Sequence, residues 1–419
     1  MRRLPWNDDV TVTVAALRGL APPPREVQAA VAAIVADVRA RGDQAVREQT
    51  LRLDGVELPA AYGVAPALMD ERLGALTPEL RAALDLAAAN VRAYHEREAV
   101  APWRMRLAQG QVVGQAVVPL SVAGLYVPGG LADYPSSVLM TAIPALVAGV
   151  GRVVVCSPPR ADGGPAAGVA AACALLGVTG LFPIGGAQAV AAMALGTRQV
   201  PRCDVIAGPG NAYVTEAKRQ LVGEVGIDSL AGPSEVLIIA DESGEPVWLA
   251  ADLLAQAEHG SGAMACLADV GGTLAERVTG ECERLSGELG IATGSVVIVE
   301  CPDRAAALAL SNAFAPEHLE LHCADAGALV PEVRNAGAVF VGAHAATAFA
   351  DYAAGTNHVL PTGGSARFAQ GLSVDAFRKR MAVVELDGAA AGRLAEAVAT
   401  IADEEGLPAH ALSARLRAQ

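Results

Sequence analysis

Apolar positions change their period along the chain, and the changes mark its elements. Between residues 27 and 42 they fall at Val27, Val31, Ile34, Val35 and Val38, one face of a helix that follows Pro22-Pro23-Pro24 and stops at Gly42. A second helix is predicted from Thr77-Pro78-Glu79, an N-cap with Pro at the first helical position, to about His95. From about Tyr126 the pattern becomes strand, glycine turn, helix. Residues 153–156 read as a buried strand and residues 165–176 as an Ala-rich helix. Residues 180–184 lead into Gly185-Gly186-Ala187-Gln188 and a helix, and residues 204–207 into Gly208-Pro209-Gly210-Asn211 and a helix through Leu221. Such alternation predicts βαβ units and a mostly parallel sheet.

A second block of the same kind follows. Residues 236–240 predict a strand and residues 246–259 a helix; strands at 263–267, 295–299 and 338–341 and a helix at 303–313 continue it. The tail from about Val374 is richer in charge and reads as helical. No internal repeat is visible. The expected fold is α/β: two domains with mostly parallel, incomplete Rossmann-like sheets, plus helical N- and C-terminal extensions.

Composition narrows the class. The 419 residues suit two to three domains at about 150 residues each. Apolar residues make up 53% and charged residues 18%, which excludes disorder over most of the chain. With 31 Lys and Arg against 45 Asp and Glu, the net charge is −14 and repels a phosphate backbone. The densest basic cluster is Arg378-Lys379-Arg380, so no nucleic-acid partner is expected. The tract at 138–156 is broken by Pro144, Gly149, Gly151 and Arg152, and reads as helix, turn and buried strand rather than a membrane span. The start of the chain has no apolar stretch behind Arg2 and Arg3, unlike a secretory signal. Seven cysteines without a CxxC pair indicate neither a zinc knuckle nor a disulfide framework and suit a reducing cytoplasm.

Six of the seven histidines follow residue 258. In Gln256-Ala-Glu-His259, residues three apart share a helix face and can meet one ion or one substrate; on spacing alone, a helix-end histidine touching its own terminal carbonyls is the plainer reading. In Pro316-Glu317-His318-Leu-Glu-Leu-His322, a carboxylate adjoins an imidazole. On a regular strand the two face opposite sides, so both reach one cleft only at an irregular strand start after Pro316. The alternative is a polar strand edge. The segment Asp351-Tyr-Ala-Ala-Gly-Thr-Asn-His358 reads as a polar loop that lines a site or simply turns the chain. The glycine turns at 185–188 and 208–211 could present N–H groups to a phosphate, but GxGxxG is absent, and turn glycines in any α/β protein look alike.

In order along the chain, these segments resemble the histidinol dehydrogenase family: Tyr126-Val-Pro-Gly-Gly, Gly185-Gly-Ala-Gln188, Ala207-Gly-Pro-Gly-Asn211, Asp228-Ser-Leu-Ala-Gly-Pro-Ser234-Glu, Gln256-Ala-Glu-His259, Pro316-Glu317-His318-Leu-Glu and Asp351-Tyr-Ala-Ala-Gly-Thr-Asn-His358-Val-Leu-Pro. The resemblance implies a cytoplasmic homodimer with sites shared between subunits. It would oxidise L-histidinol through L-histidinal to L-histidine with two NAD⁺ and one Zn²⁺ per subunit. It implies zinc ligands Gln256, His259, Asp351 and His410, and proton acceptors Glu317 and His318. Ser234, His358 and Glu405 match substrate contacts, as do His318 and the four ligands; Tyr126, Gln188 and Asn211 match NAD contacts. Pro408, between Glu405 and His410, departs from the family pattern. The expected division is an N-terminal extension at 1–20, a discontinuous zinc and substrate domain at 21–123 and 234–373, an NAD-binding domain at 124–233, and a helical tail for dimerisation at 374–419. Two rival chemistries are a zinc hydrolase, for which HExxH is missing, and an aldehyde dehydrogenase using a cysteine, for which Cys156 is the natural candidate. A purely structural or binding protein is the third reading.

Overall fold

A computed structural model describes residues 1–20, 26–129, 132–260 and 262–418. Pro22, Pro23 and Pro24, and Gly130 of the first glycine motif, lie outside the described residues. The chain opens with strand β1 (Arg2–Leu4) and helices α1 (Val10–Arg18), α2 (Gln28–Arg41), α3 (Asp43–Asp54), α4 (Pro66–Gly74) and α5 (Pro78–Glu98). The Thr77 hydroxyl caps α5 by accepting from Leu80 N, and Gly42 ends α2, both where the sequence puts them. Strands β2 (Trp103–Arg106) and β3 (Val112–Pro119) come next.

The first alternation is β4 (Val122–Tyr126), α6 (Pro135–Ala148), β5 (Arg152–Ser157), α7 (Ala167–Leu175) and β6 (Gly180–Pro183). It continues through α8 (Gly186–Leu195), β7 (Val205–Ala207), α9 (Ala212–Leu221) and β8 (Gly226–Ile227). These strands form a parallel sheet ordered β6-β5-β4-β7-β8.

The second alternation is β9 (Glu235–Ala240), α10 (Pro246–Ala257), β10 (Met264–Val270), α11 (Ala275–Leu289) and β11 (Val296–Cys301). It ends with α12 (Arg304–Phe314), β12 (His318–His322), α13 (Ala326–Leu329), β13 (Ala338–Val341) and α14 (Thr347–Tyr352). Its sheet is also parallel, ordered β1-β11-β10-β9-β12-β13. In each alternation the first strand is central in its sheet, the next two build outward on one side, and the fourth pairs on the other. This shared topology is a repeat that the residues themselves do not show.

Each sheet is buried on both faces, as continuous apolar strands require. Val27, Val31 and Val38 of the α2 region pack with α8 and α9 on one face of the first sheet; Met69, Leu84 and Val91 of α4 and α5 pack with α6 and α7 on the other. The sequence division set residues 21–123 beside 234–373. By packing, residues 28–98 instead clothe the sheet of 122–227, while β1 and α1, set apart as an extension, complete the second sheet and its core. Apolar faces alone do not say which sheet they will meet.

The tail differs from its helical reading at its start. Residues Arg378–Glu385 form β14, antiparallel to β3 in a three-stranded sheet ordered β14-β3-β2. Helices α15 (Gly388–Glu404) and α16 (Pro408–Leu416) follow and pack on each other through Ala399, Ala402 and Ala411. Pro408 stands at the first position of α16, where a missing N–H costs nothing, so the departure at this residue is compatible with the helix. No described helix is long and apolar enough to cross a membrane.

Candidate active site

The pair β9 and β12 places the first group of residues. Paired in parallel, they bring Ser234 and Glu235 beside Glu317 and His318 at the amino edge of the second sheet. Ala315 takes a left-handed backbone, φ 53°, which breaks α12 and turns the chain at Pro316. β12 begins only at His318, so Glu317 is free of strand alternation and both side chains reach one place. This is the irregular start that the sequence required.

Glu317 Oε2 accepts from Ser234 Oγ at 2.7 Å and from Glu235 N at 2.9 Å. His318 Nδ1 lies 3.1 Å from the Glu235 carbonyl oxygen and 3.6 Å from Glu317 Oε2. A carbonyl only accepts, so Nδ1 carries the proton and Nε2 the lone pair. That Nε2 is buried without a hydrogen-bond partner and stands 3.9 Å from Asp351 Oδ1.

Helix α10 returns from β9 to the same edge. Gln256, in its last turn, is buried, its Nε2 without a partner and its Oε1 3.5 Å from Ser234 Oγ. His259 follows the helix end and is exposed; its backbone N–H donates to the Gln256 carbonyl at 3.3 Å. No side-chain bond to the helix's own carbonyls is found for His259 among the described residues. Instead it lies close enough to His318 and His358 for the rings to influence one another's proton affinity.

Asp351 sits in the last turn of α14, and its carbonyl holds His358 Nδ1 at 2.9 Å. Asn357 fixes the turn beside His358. It donates to the Met140 carbonyl at 2.6 Å and to His95 Nε2 at 3.0 Å, and its Oδ1 accepts from Val359 N at 2.9 Å. His95 in turn meets Glu98 Oε2 through Nδ1 at 2.7 Å. Sequence reading used His95 only as a helix end; a contact spanning 262 residues leaves no local signal. Glu235 was missed in the same way: its carbonyl orients His318, while its carboxylate pairs with Arg18 and accepts from Gly363 N.

Burial sets the proton affinities. It pushes Glu317 up to about 8, against the hydrogen bonds from Ser234 and Glu235 N. It lifts Asp351 to about 6, opposed by His318. Burial also lowers His318, against the pull of Asp351, and takes His358 down to about 4. His259, though part of its side chain is exposed, is lowered first by the loss of water around its ring and then by His318. The imidazoles are therefore neutral at pH 7, ready to take a proton or donate a lone pair.

The second group lies at the carboxyl edge of the first sheet, where β4 and β7 meet. Tyr126 Oη accepts from Gly186 N at 3.0 Å. Gly208, at φ 117°, approaches the Tyr126 carbonyl so closely that a Cβ would lie 2.1 Å from it, so only glycine fits. Lys218 Nζ donates to the Gly208 carbonyl and to Asp228 Oδ1, each at 2.6 Å, and Asp228 Oδ2 accepts from Gly208 N at 2.7 Å. Asn211 caps α9, its Oδ1 accepting from Tyr213 N and Val214 N. Buried Gln188 donates to Asp54 at 3.2 Å, leaving its Oε1 without a partner. This is the crevice at which open α/β sheets bind ligands, where strand order reverses.

Glu405 and His410 are not brought to these groups. Both stand exposed on the tail, and no hydrogen bond or ion pair joins either to the site among the described residues. A cavity of about 840 Å³ lies beyond β13 and α14; it touches Asn357 and Phe349 but none of Glu317, His318, Asp351 or His259. Cys156 is fully buried, and burial raises its thiol well above the ordinary range.

Comparison with known proteins gives a consistent answer. The family model for histidinol dehydrogenase matches residues 22–418. The chain is 48% identical over 402 residues to histidinol dehydrogenase of a Synechococcus species, covering 94% of this chain and 92% of that one. Against the Pseudomonas aeruginosa enzyme the identity is 47%, covering 92% and 89%. The solved histidinol dehydrogenase of Elizabethkingia anophelis superposes with a TM-score of 0.94 at 30% identity, over 100% of this chain and 98% of that one. An acetylating aldehyde dehydrogenase from Geobacillus thermoglucosidasius shares the fold alone, at a TM-score of 0.50 and 15% identity.

Proposed function

The chain belongs to the histidinol dehydrogenase family, and from that premise we propose that it oxidises L-histidinol through L-histidinal to L-histidine in histidine biosynthesis, using two NAD⁺. The observation that carries the reading is the state of His318. Its Nδ1 proton is committed to the Glu235 carbonyl, and its Nε2 lone pair is bare and buried. Such a nitrogen takes the hydroxyl proton as the carbinol carbon gives up hydride, which yields the aldehyde. Glu317, held by Ser234 and Glu235 N, then accepts a proton from water as its oxygen adds to the aldehyde carbon. Loss of a second hydride from the hydrate gives the carboxylate.

The donors at this edge suit a zinc ion. The Gln256 Oε1, the amide atom able to ligate a cation, has only a long contact, and the Asp351 carboxylate makes no hydrogen bond among the described residues. Gln256, His259 and Asp351 would hold the ion together with His410 of the partner subunit. Its chemistry there is to anchor the amine and imidazole nitrogens of histidinol. His358 and Glu405 would complete the substrate pocket. Tyr126, Gln188 and Asn211 would receive NAD⁺ at the carboxyl edge of the first sheet, a region we assign to cofactor binding.

Dimerisation is supported by unsatisfied apolar surface. On the tail Val398, Ile401, Leu407 and Leu412 are exposed, while Phe349 and Tyr352 stand exposed on either side of Asp351. Covering both patches with a second copy would seat the tail of one chain over the site of the other. The proposed setting is the cytoplasm. The test is stoichiometry: two NADH form per histidinol consumed, with histidine as product. One NADH with free aldehyde, or none, refutes the assignment.

A further inference from the structure

Behind the site, along the same two elements, lies a second cluster that the proposed chemistry does not use. His318, Glu320 and His322 alternate onto one face of β12. Glu320 is two residues deeper than His318, about 7 Å along the strand. Asp252 is one turn before Gln256 on α10. Ligand atoms of Asp252, Glu320 and His322 all lie within 4.8 Å of one another.

The cluster is short of partners. His322 Nε2 lies 3.3 Å from Glu320 Oε2 and 3.8 Å from Asp252 Oδ2, yet neither ring nitrogen makes a hydrogen bond, and the side chain is fully buried. Glu320 Oε1 is used twice by Thr347, through N at 2.8 Å and Oγ1 at 2.7 Å, while Oε2 has no hydrogen bond. No Lys or Arg pairs with either carboxylate among the described residues. Two carboxylates and one imidazole, all free of protons, would together carry charge −2, which one divalent cation cancels.

We propose that Asp252, Glu320 and His322 form a second, structural metal site for a divalent cation of the zinc class, distinct from the site at Gln256, His259 and Asp351. One imidazole with two carboxylate oxygens is a donor set that zinc accepts. Bond lengths of about 2.0–2.2 Å place tetrahedral ligand atoms about 3.4 Å apart, close to the 3.3 and 3.8 Å between His322 Nε2 and the two carboxylates. Thr347 orients the Glu320 carboxylate from behind, so that Oε2 faces the centre. The competing occupant is a proton on Asp252, which burial and Glu320 together raise to about 7. Cation entry displaces that proton, so retention weakens as pH falls through this range.

The test separates the two sites. A His259→Ala/Asp351→Asn variant, loaded with Zn²⁺ and desalted, is expected to keep one zinc per chain by elemental analysis. Adding His322→Asn, or the less buried Asp252→Asn, is expected to bring that to zero. X-ray absorption of the zinc kept by the first variant should show one imidazole and otherwise oxygen ligands. No zinc on the first variant, zinc unaffected by both further changes, or a shell with several imidazoles or sulfur overturns the proposal. None of these readouts depends on histidinol turnover.

Discussion

At Glu317 the demands of burial and of catalysis pull apart. A base must be ionised, yet its surroundings push this carboxyl up to about 8, so the ionised fraction grows with pH across the neutral range. The aldehyde step is therefore expected to quicken as pH rises toward 8, a limb read from kcat/KM with histidinal; a bound cation nearby shifts the limb to lower pH. Glu317→Gln should remove that limb and spare the first oxidation more than the second. Equal losses with histidinol and histidinal would transfer the water-activating role elsewhere. Cys156→Ala should keep most activity, because a buried thiol raised so far is no nucleophile at neutral pH. Loss of turnover in a folded variant would reinstate a thiohemiacetal route. The adjacent pair Glu317 and His318 was legible because a carboxylate beside an imidazole is odd in an apolar run. Glu235 and His95 were not, because a backbone carbonyl and a bond to a remote Asn have no composition to betray them.

Among the elements, the turn after β7 depends on a clamp rather than on its glycines alone. Lys218 on α9 and Asp228 after β8 are both nearly fully buried and hold the two polar groups of Gly208 between them. Lys218→Met leaves Asp228 uncompensated, a change worth about 3–5 kcal/mol. Denaturant unfolding should show that loss, and the KM for NAD⁺ should rise more than that for histidinol. An unchanged unfolding midpoint would mean that the turn holds without its clamp. The strands and helices of the two alternations were legible to within a few residues because their apolar runs are buried on both faces. β14 was not: most of Arg378–Glu385 is exposed on both faces, so neither a period of two nor a continuous run marks it.

For the whole molecule, the two sheets share one topology but place their groups at opposite edges: the carboxyl edge of β4 and β7, the amino edge of β9 and β12. The tail provides the test of how sites are completed. If His410 crosses to the other chain, inactive His259→Ala and His410→Ala variants complement, because a hybrid dimer has one intact site. Random pairing makes about half the dimers hybrid, so activity returns to roughly a quarter of wild type. No recovery in confirmed hybrids would place both ligands in one chain. A chelator should abolish turnover while circular dichroism stays near native, since four large apolar clusters flank the sheets. One further consequence concerns β1, whose Arg2, Arg3 and Leu4 pair with Val297, Ile298 and Val299. Residues 2–4 are made well before the strand they pair with, and so are among the last to find their place. During synthesis β11 emerges long after the first sheet can close, and its outer edge stays open until the far end of the chain returns to cover it. The second sheet has the high contact order of a late-folding unit, and a bulky fusion at the amino terminus should slow its completion and favour aggregation before it lowers the stability of the finished protein.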